Sequence, residues 1–242
     1  MTLVEICVDD VAGARCAERA GADRVELCSG LAEGGVTPSL GLVRSVLAAT
    51  GRIGVRVLVR PRGGDFVYAA DELDVQCEDL RLLPLSDPRA GVVVGALTPD
   101  GEIDVAAVHR LLDAAGNSEV TFHRAFDATA DPQRSLDTLI DLGVDRVLTS
   151  GGRRSGLEGA EVLRDLVQRA GGRIAVMAGG GVRPDGVREL VGRTGVPEVH
   201  LRATEPVQSA ARFVNPALPY DEGHRLVTSG NVIRDLLAEL DR

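Results

Sequence analysis

Lysine is absent from this 242-residue chain, and all 27 basic residues are arginine. That excludes Schiff-base aldolase chemistry, a pyridoxal-phosphate anchor and a P-loop, each of which needs a lysine amine. Tryptophan is also absent and aromatic residues make up 2%, so stacking platforms for single-stranded nucleic acid are poorly supplied. Positive charge is in deficit. The net charge of -9 counts against nucleic acid as a partner, because phosphate binding wants a basic surface. No apolar run approaches the ~18 residues of a membrane span. The opening MTLVEICVDD has neither a basic n-region nor a long apolar h-region, so a cytoplasmic protein without a membrane partner is expected. The four cysteines, Cys7, Cys16, Cys28 and Cys77, include no C-x-x-C pair. A zinc ribbon or thioredoxin-type redox site is therefore excluded, and reduced thiols are expected. No organic cofactor is expected.

What is present is ordinary for a globular protein: 44% hydrophobic and 26% charged residues, enough for a sizeable core. Short β-branched runs alternate with amphipathic ones along the whole chain. Candidate strands are Leu3–Val8, Arg24–Cys28, Val55–Arg60, Val92–Leu97, Val120–Arg124, Arg146–Thr149, Ile174–Ala178 and Glu198–Leu201. Apolar stripes at helical spacing lie between them, such as Leu136, Leu139, Ile140 and Leu142. Prolines near first turns (Thr37-Pro38, Asp131-Pro132, Arg183-Pro184) and glycines at Gly21, Gly116, Gly143 and Gly171 punctuate helix starts and ends. Strict alternation implies a parallel sheet, and eight strands imply closure into a TIM-type (β/α)8 barrel over residues 1–242 as one domain. Ala203 to Thr228, with Pro206, Pro216 and Pro219, reads as a long loop, and Asn231–Leu240 as a final helix.

In such a barrel the site lies at the C-terminal ends of the strands. The first two strands share a pattern, Glu5-Ile6-Cys7 and Glu26-Leu27-Cys28. Residues two apart share a face, so inward-facing E-x-C pairs bring two carboxylates and two thiols together. Small buried cysteines also suit a barrel core on packing grounds alone. Buried glutamates need a partner, an arginine or a metal. The third strand ends in Arg60-Pro61-Arg62-Gly63-Gly64-Asp65-Phe66. Arg60 and Arg62 either bind a carboxylate or phosphate or pair with Glu5 and Glu26. His123 is the best general acid by position, and a satisfied core histidine is the alternative, as it is for His200. His109 and His224 read as surface residues. Ser150-Gly151 and Gly179-Gly180-Gly181 form turns whose amides suit an anion, although tight turns need glycine in any case. Glu33, Asp65, Asp71 and Asp127 lie on loops without a catalytic assignment.

The stretches GADRVELCSGLAEGGVTPSLG (Gly21–Gly41), RPRGGDFVY (Arg60–Tyr68), GALTPDG (Gly95–Gly101), VTFHRAFD (Val120–Asp127), RVLTSGG (Arg146–Gly152), MAGGGVR (Met177–Arg183) and EVH (Glu198–His200) resemble the copper homeostasis protein CutC family. The resemblance implies a cytosolic TIM barrel, a homodimer or larger homo-oligomer, and a role in copper tolerance. It implies Cu(I) as the ligand and Cys7 and Cys28 as its metal-binding residues, with thiolates selecting Cu(I) over harder ions. Leu201-Arg202 departs from the family's small residues after His200 and places positive charge near the barrel mouth.

Two functions follow. The first is a Cu(I)-binding protein using Cys7 and Cys28, helped by Met177. The second is an enzyme acting on a small anionic metabolite. Its base would be Glu5 or Glu26 and its acid His123. Arg60, Arg62, Arg124, Ser150, Gly151, Gly179, Gly180, Gly181 and Arg202 would hold its phosphate or carboxylate.

Overall fold

The computed structural model describes residues 1–217 and 223–242. Eight strands close a parallel barrel in chain order: β1 (Leu3–Val8), β2 (Arg24–Leu27), β3 (Gly54–Leu58), β4 (Ala90–Val94), β5 (Val120–Phe122), β6 (Arg146–Thr149), β7 (Ala175–Ala178) and β8 (Glu198–Leu201). Helices α1 (Val11–Ala20), α2 (Leu40–Ala49), α3 (Ala70–Leu82), α4 (Val105–Ala115), α5 (Pro132–Asp141), α6 (Ala160–Ala170) and α7 (Pro184–Thr194) follow the first seven strands. The TIM-type (β/α)8 barrel read from the alternation is therefore the fold. Three strands carry the expected limits. Others stop earlier: β3 ends at Leu58 and β5 at Phe122, so Arg60 and His123 lie just past their strands.

Local chemistry sets the helix limits. Asp131 accepts hydrogen bonds from the amides of Gln133 and Arg134, and Pro132 opens α5. Gly21 closes α1 in the left-handed region at φ 99°, with its N–H returned to Ala17 and Glu18. The inward stripes of the helices pack on the outer strand faces, where Val4, Val25, Val55 and Val92 are buried with Val43, Leu111, Leu136 and Leu163.

The segment after β8 differs from the expected loop. Thr204–Gln208 (β9) pairs antiparallel with His224–Thr228 (β10), and α8 (Gly230–Glu239) follows. Alternation of Thr204, Pro206 and Gln208 with the opposing strand is masked in the sequence by the prolines, which an edge hairpin tolerates. Pro219 lies outside the described residues.

The barrel interior holds an arginine-rich floor. Arg24 and Arg146, first in their strands, and Arg56, in the middle of β3, point inward, all buried. Glu198 accepts from Arg24 Nη2 and, at 3.2 Å, from Arg146 Nη2, and Glu5 Oε2 accepts from Arg24 Nε at 3.0 Å. Arg56 reaches Glu119 and the Arg89 carbonyl. Burial and the neighbouring charges of Arg24 and Arg146 bring its pKa down to about 10. Glycines on the adjoining strands give these side chains room. A Cβ on Gly91 would stand 2.8 Å from Arg56 Cδ and 2.8 Å from the Glu119 carbonyl. Because one of those neighbours is backbone, Gly91→Ala is expected to destabilise the fold by about 1–3 kcal/mol. Urea denaturation checks this, and an unchanged midpoint contradicts the packing account.

Candidate functional site

Register builds the site. Glu5 on β1 stands level with Arg24 on β2 and with His200 on β8, while Cys7 stands level with Glu26. The side-chain period of two then turns Glu5, Cys7, Glu26 and Cys28 into the barrel together. Cys7 Sγ and Cys28 Sγ are 3.6 Å apart, both buried. Leu58, Val93 and the partly buried Leu31 pack around them.

His200 joins the two glutamates. Its Nδ1 is 2.9 Å from Glu5 Oε1 and its Nε2 is 3.7 Å from Glu26 Oε2. Cys7 Sγ, a Glu26 oxygen and a His200 ring nitrogen lie within 4.8 Å of one another. Burial opposes charge on His200, yet Glu26, Cys7 and Glu5 outweigh it and hold the imidazole pKa well above its ordinary value. Burial also works against an ionised Glu5, but the hydrogen bond and charge of His200, with Arg24 and Arg146, bring its pKa down to about 2. Glu26 goes the other way, raised first by burial. The Cys28 contact, followed by burial, raises the Cys7 thiol. Glu5 and His200 are thus an ion pair, and Cys7 is a protonated thiol beside it.

The depressed Glu5 pKa fixes a sign. Its contribution to stability is fully present above the unfolded value near 4.5 and is lost as pH falls toward 2. Urea denaturation at pH 7, 4.5 and 3 is expected to show an acid-side loss that Glu5→Gln lacks in that window. An identical acid slope in the variant rules out this role.

The glutamates find partners other than those read from sequence. Glu5 pairs with Arg24 and His200, and neither Arg60 nor Arg62 reaches it. Arg62 Nε is 2.6 Å from Glu72, and its Nη2 is 3.1 Å from Asp65. Both acids lie near Arg62 in sequence, so this guanidinium braces its own loop. Arg60 donates to the carbonyls of Glu33, Gly35 and Gly64 at 2.9–3.0 Å. Met177 Sδ lies 3.6 Å from Arg24 Nη2; it belongs with the floor arginines.

His123 sits apart from this cluster. Its Nδ1 accepts the Ala125 amide at 3.1 Å. Burial, reinforced by the nearby Arg60 charge, lowers its pKa to about 3. A histidine so held stays neutral at pH 7 and does not act as an imidazolium acid; its one ring proton is on Nε2. His109 and His224 are exposed, as expected.

The anion set divides. A cleft of about 690 Å³ at the strand ends has Cys7 and His200 among its lining residues, together with Arg124, Arg202, the Gly180-Gly181 turn and Arg183. Arg183 was not among the sequence candidates, and its place opening α7 is the signal that marks it. Ser150 and Gly151 belong to the turn itself. Asp127 accepts from the amides of Ser150 and Gly152 and from the Thr149 hydroxyl, and the Gly151 amide goes to Thr149 Oγ1. Asp127 also pairs with Arg124 at 2.8 Å. Gly179 is a packing glycine, since a Cβ there would stand 2.6 Å from Leu148 Cδ1.

The family model described as CutC family matches residues 2–205. A family protein CutC from Histophilus somni is 45% identical over 232 residues, covering 96% of this chain and 90% of the relative. The human copper homeostasis protein cutC homolog is 45% identical over 216 residues, covering 89% of this chain and 78% of its own. The crystal structure of a CutC protein from Streptococcus agalactiae superposes with a TM-score of 0.78 at 35% identity, over 83% of this chain and 98% of that one. With a matched model spanning all eight barrel strands and relatives this similar over 78–98% of their own length, the chain belongs to the CutC family.

Proposed function

We propose that this protein binds one Cu(I) ion between Cys7 and Cys28, in the copper homeostasis role that the human relative's name states. The observation that carries the reading is the 3.6 Å separation of the two sulfurs. Two-coordinate ligation needs sulfurs about 4.6 Å apart, twice a metal–sulfur bond of about 2.3 Å, so the pair must open by about 1 Å on binding. Soft thiolates favour Cu(I). The donor set suits it in charge as well. Two thiolates and one Cu(I) carry a net charge of -1, and the His200 imidazolium beside Cys7 offsets it. Glu5 keeps that imidazolium in place, and Leu31 screens the sulfurs from water. An anaerobic titration against a competing Cu(I) chelator tests the proposal. One tightly held Cu(I) per chain is expected, and a chain that takes none from the chelator ends the reading.

A second reading, acid/base chemistry on a small phosphorylated or carboxylated metabolite, is favoured by the cleft wall. Among the described residues, Arg183 and Arg202 have no ion-pair partner, and both line the cleft above Cys7 and His200. In this reading Glu26 is the base, His200 rather than His123 is the acid, and Arg124, Arg183 and Arg202 hold the anion. Thermal shifts with phosphorylated and carboxylated metabolites, lost in Arg202→Ala, are the expected result; a flat response across such a panel removes it.

A further inference from the structure

Arg60 is buried and positively charged, yet the hydrogen bonds of its guanidinium go to three neutral carbonyls. Among the described residues it has no carboxylate partner, and its Nε–H has no acceptor. Buried charges of this kind are normally paired, because desolvation is otherwise uncompensated. Two further orphaned atoms stand nearby. His123 Nε2 is buried without a partner, as is Tyr68 Oη. Two of the three side chains flank one ring: Arg60 Cζ lies 5.0 Å from the Phe66 centroid, and the His123 and Phe66 centroids are 5.0 Å apart. Burial raises the Tyr68 pKa, and the Arg60 charge works in the other direction.

The polarity of the corner follows from a tautomer. His123 Nδ1 accepts the Ala125 amide, so in the neutral ring the proton is on Nε2. Nε2 is therefore a donor, as is Arg60 Nε, and the Tyr68 hydroxyl can supply a third. Three donors and one uncompensated positive charge ask for an anionic oxygen acceptor. The apolar Phe66 face beside them suits a flat, compact group. We propose that Arg60, Tyr68 and His123 form a buried site for one carboxylate group of a small-molecule ligand.

The site is distinct from the paired thiols and shares a wall with them. Gly35, whose carbonyl Arg60 holds, lies against Leu58 and Cys28. Gly34 lines the mouth cleft, and a Cβ on it would stand 3.3 Å from Arg60 Nη1. The corner and the cleft are therefore separated by the thickness of one turn.

The test follows the ring signals of His123 by 15N NMR in the metal-free protein, so that its outcome does not depend on Cu(I). Sodium acetate is the probe, at constant ionic strength, with sodium chloride as control. Acetate is expected to move the Nε2–H signal saturably while chloride does not. Tyr68→Phe, checked as folded by its backbone amide spectrum, is expected to weaken acetate about tenfold, as for loss of one hydrogen bond to a charged group. An acetate series without saturable movement, or an equal movement in chloride, overturns the proposal and leaves water as the occupant. The wild-type arms decide this even if the variant fails to fold.

Discussion

Cys7→Ser combined with Cys28→Ser is expected to lower Cu(I) affinity by about four orders of magnitude. Four-ligand structural zinc sites bind with roughly 10–16 kcal/mol, so one ligand contributes roughly 3 kcal/mol. Two lost thiolates then cost roughly 6 kcal/mol, and every 1.4 kcal/mol is tenfold. Either single variant is expected to lose about a hundredfold. The hydroxyls that replace the thiols keep acceptors in reach, Val8 O for position 28 and the Glu26 carboxyl for position 7, so the fold should survive. The pH dependence has a definite sign. The free Cys7 thiol is held protonated by Cys28 and by burial. Binding must release that proton, so affinity rises with pH, about tenfold per unit for each proton released. Competition titrations at pH 6, 7 and 8 read this slope. A double variant that still competes as well as the wild type would show that the thiols are core residues only.

Glu198→Ala is expected to lower stability more than any surface substitution. Glu198 is the carboxylate shared by Arg24 and Arg146. Removing it leaves the buried Arg146 guanidinium without a carboxylate and Arg24 with Glu5 alone, a loss of about 3–5 kcal/mol. For a chain of this size that corresponds to a fall in Tm of roughly 10 °C. The control is Glu189→Ala, which removes the exposed Arg193 pair at 2.9 Å and should change stability by less than about 1 kcal/mol. Calorimetry of the two variants separates the cases. Equal Tm values would mean that the floor network contributes no more than a solvated pair.

The fold was legible because alternation and glycine punctuation act locally. The hairpin of β9 and β10 was not, since its pairing joins residues about twenty apart across three prolines. The inward faces of Cys7 and Cys28 followed from the period of two. The same parity extended backward from Glu26 marks Arg24, and extended back from His200 it marks Glu198. Strand ends alone therefore led to the wrong arginine partners for the barrel glutamates. Arg60 and Arg62 stand past the end of β3, where loop carbonyls and Glu72 are nearer than the barrel glutamates. Sequence alone leaves His200 open between core and site, because its partners, Glu5 and Glu26, come from strands almost two hundred residues earlier, and only closure of the barrel between β1 and β8 sets them side by side. The low pKa of His123 likewise depends on burial that no spacing encodes.

Glu5 has one oxygen on the floor arginine and the other on the site histidine. It is the joint between the floor network of the barrel and the half that holds the candidate site. Redesign of the mouth for a different cargo can proceed freely around Arg202 or Leu31, but at Glu5 it inherits an obligation from below. Any replacement must still answer Arg24. The route by which this scaffold can drift to new chemistry is therefore narrowed by a single side chain serving two masters.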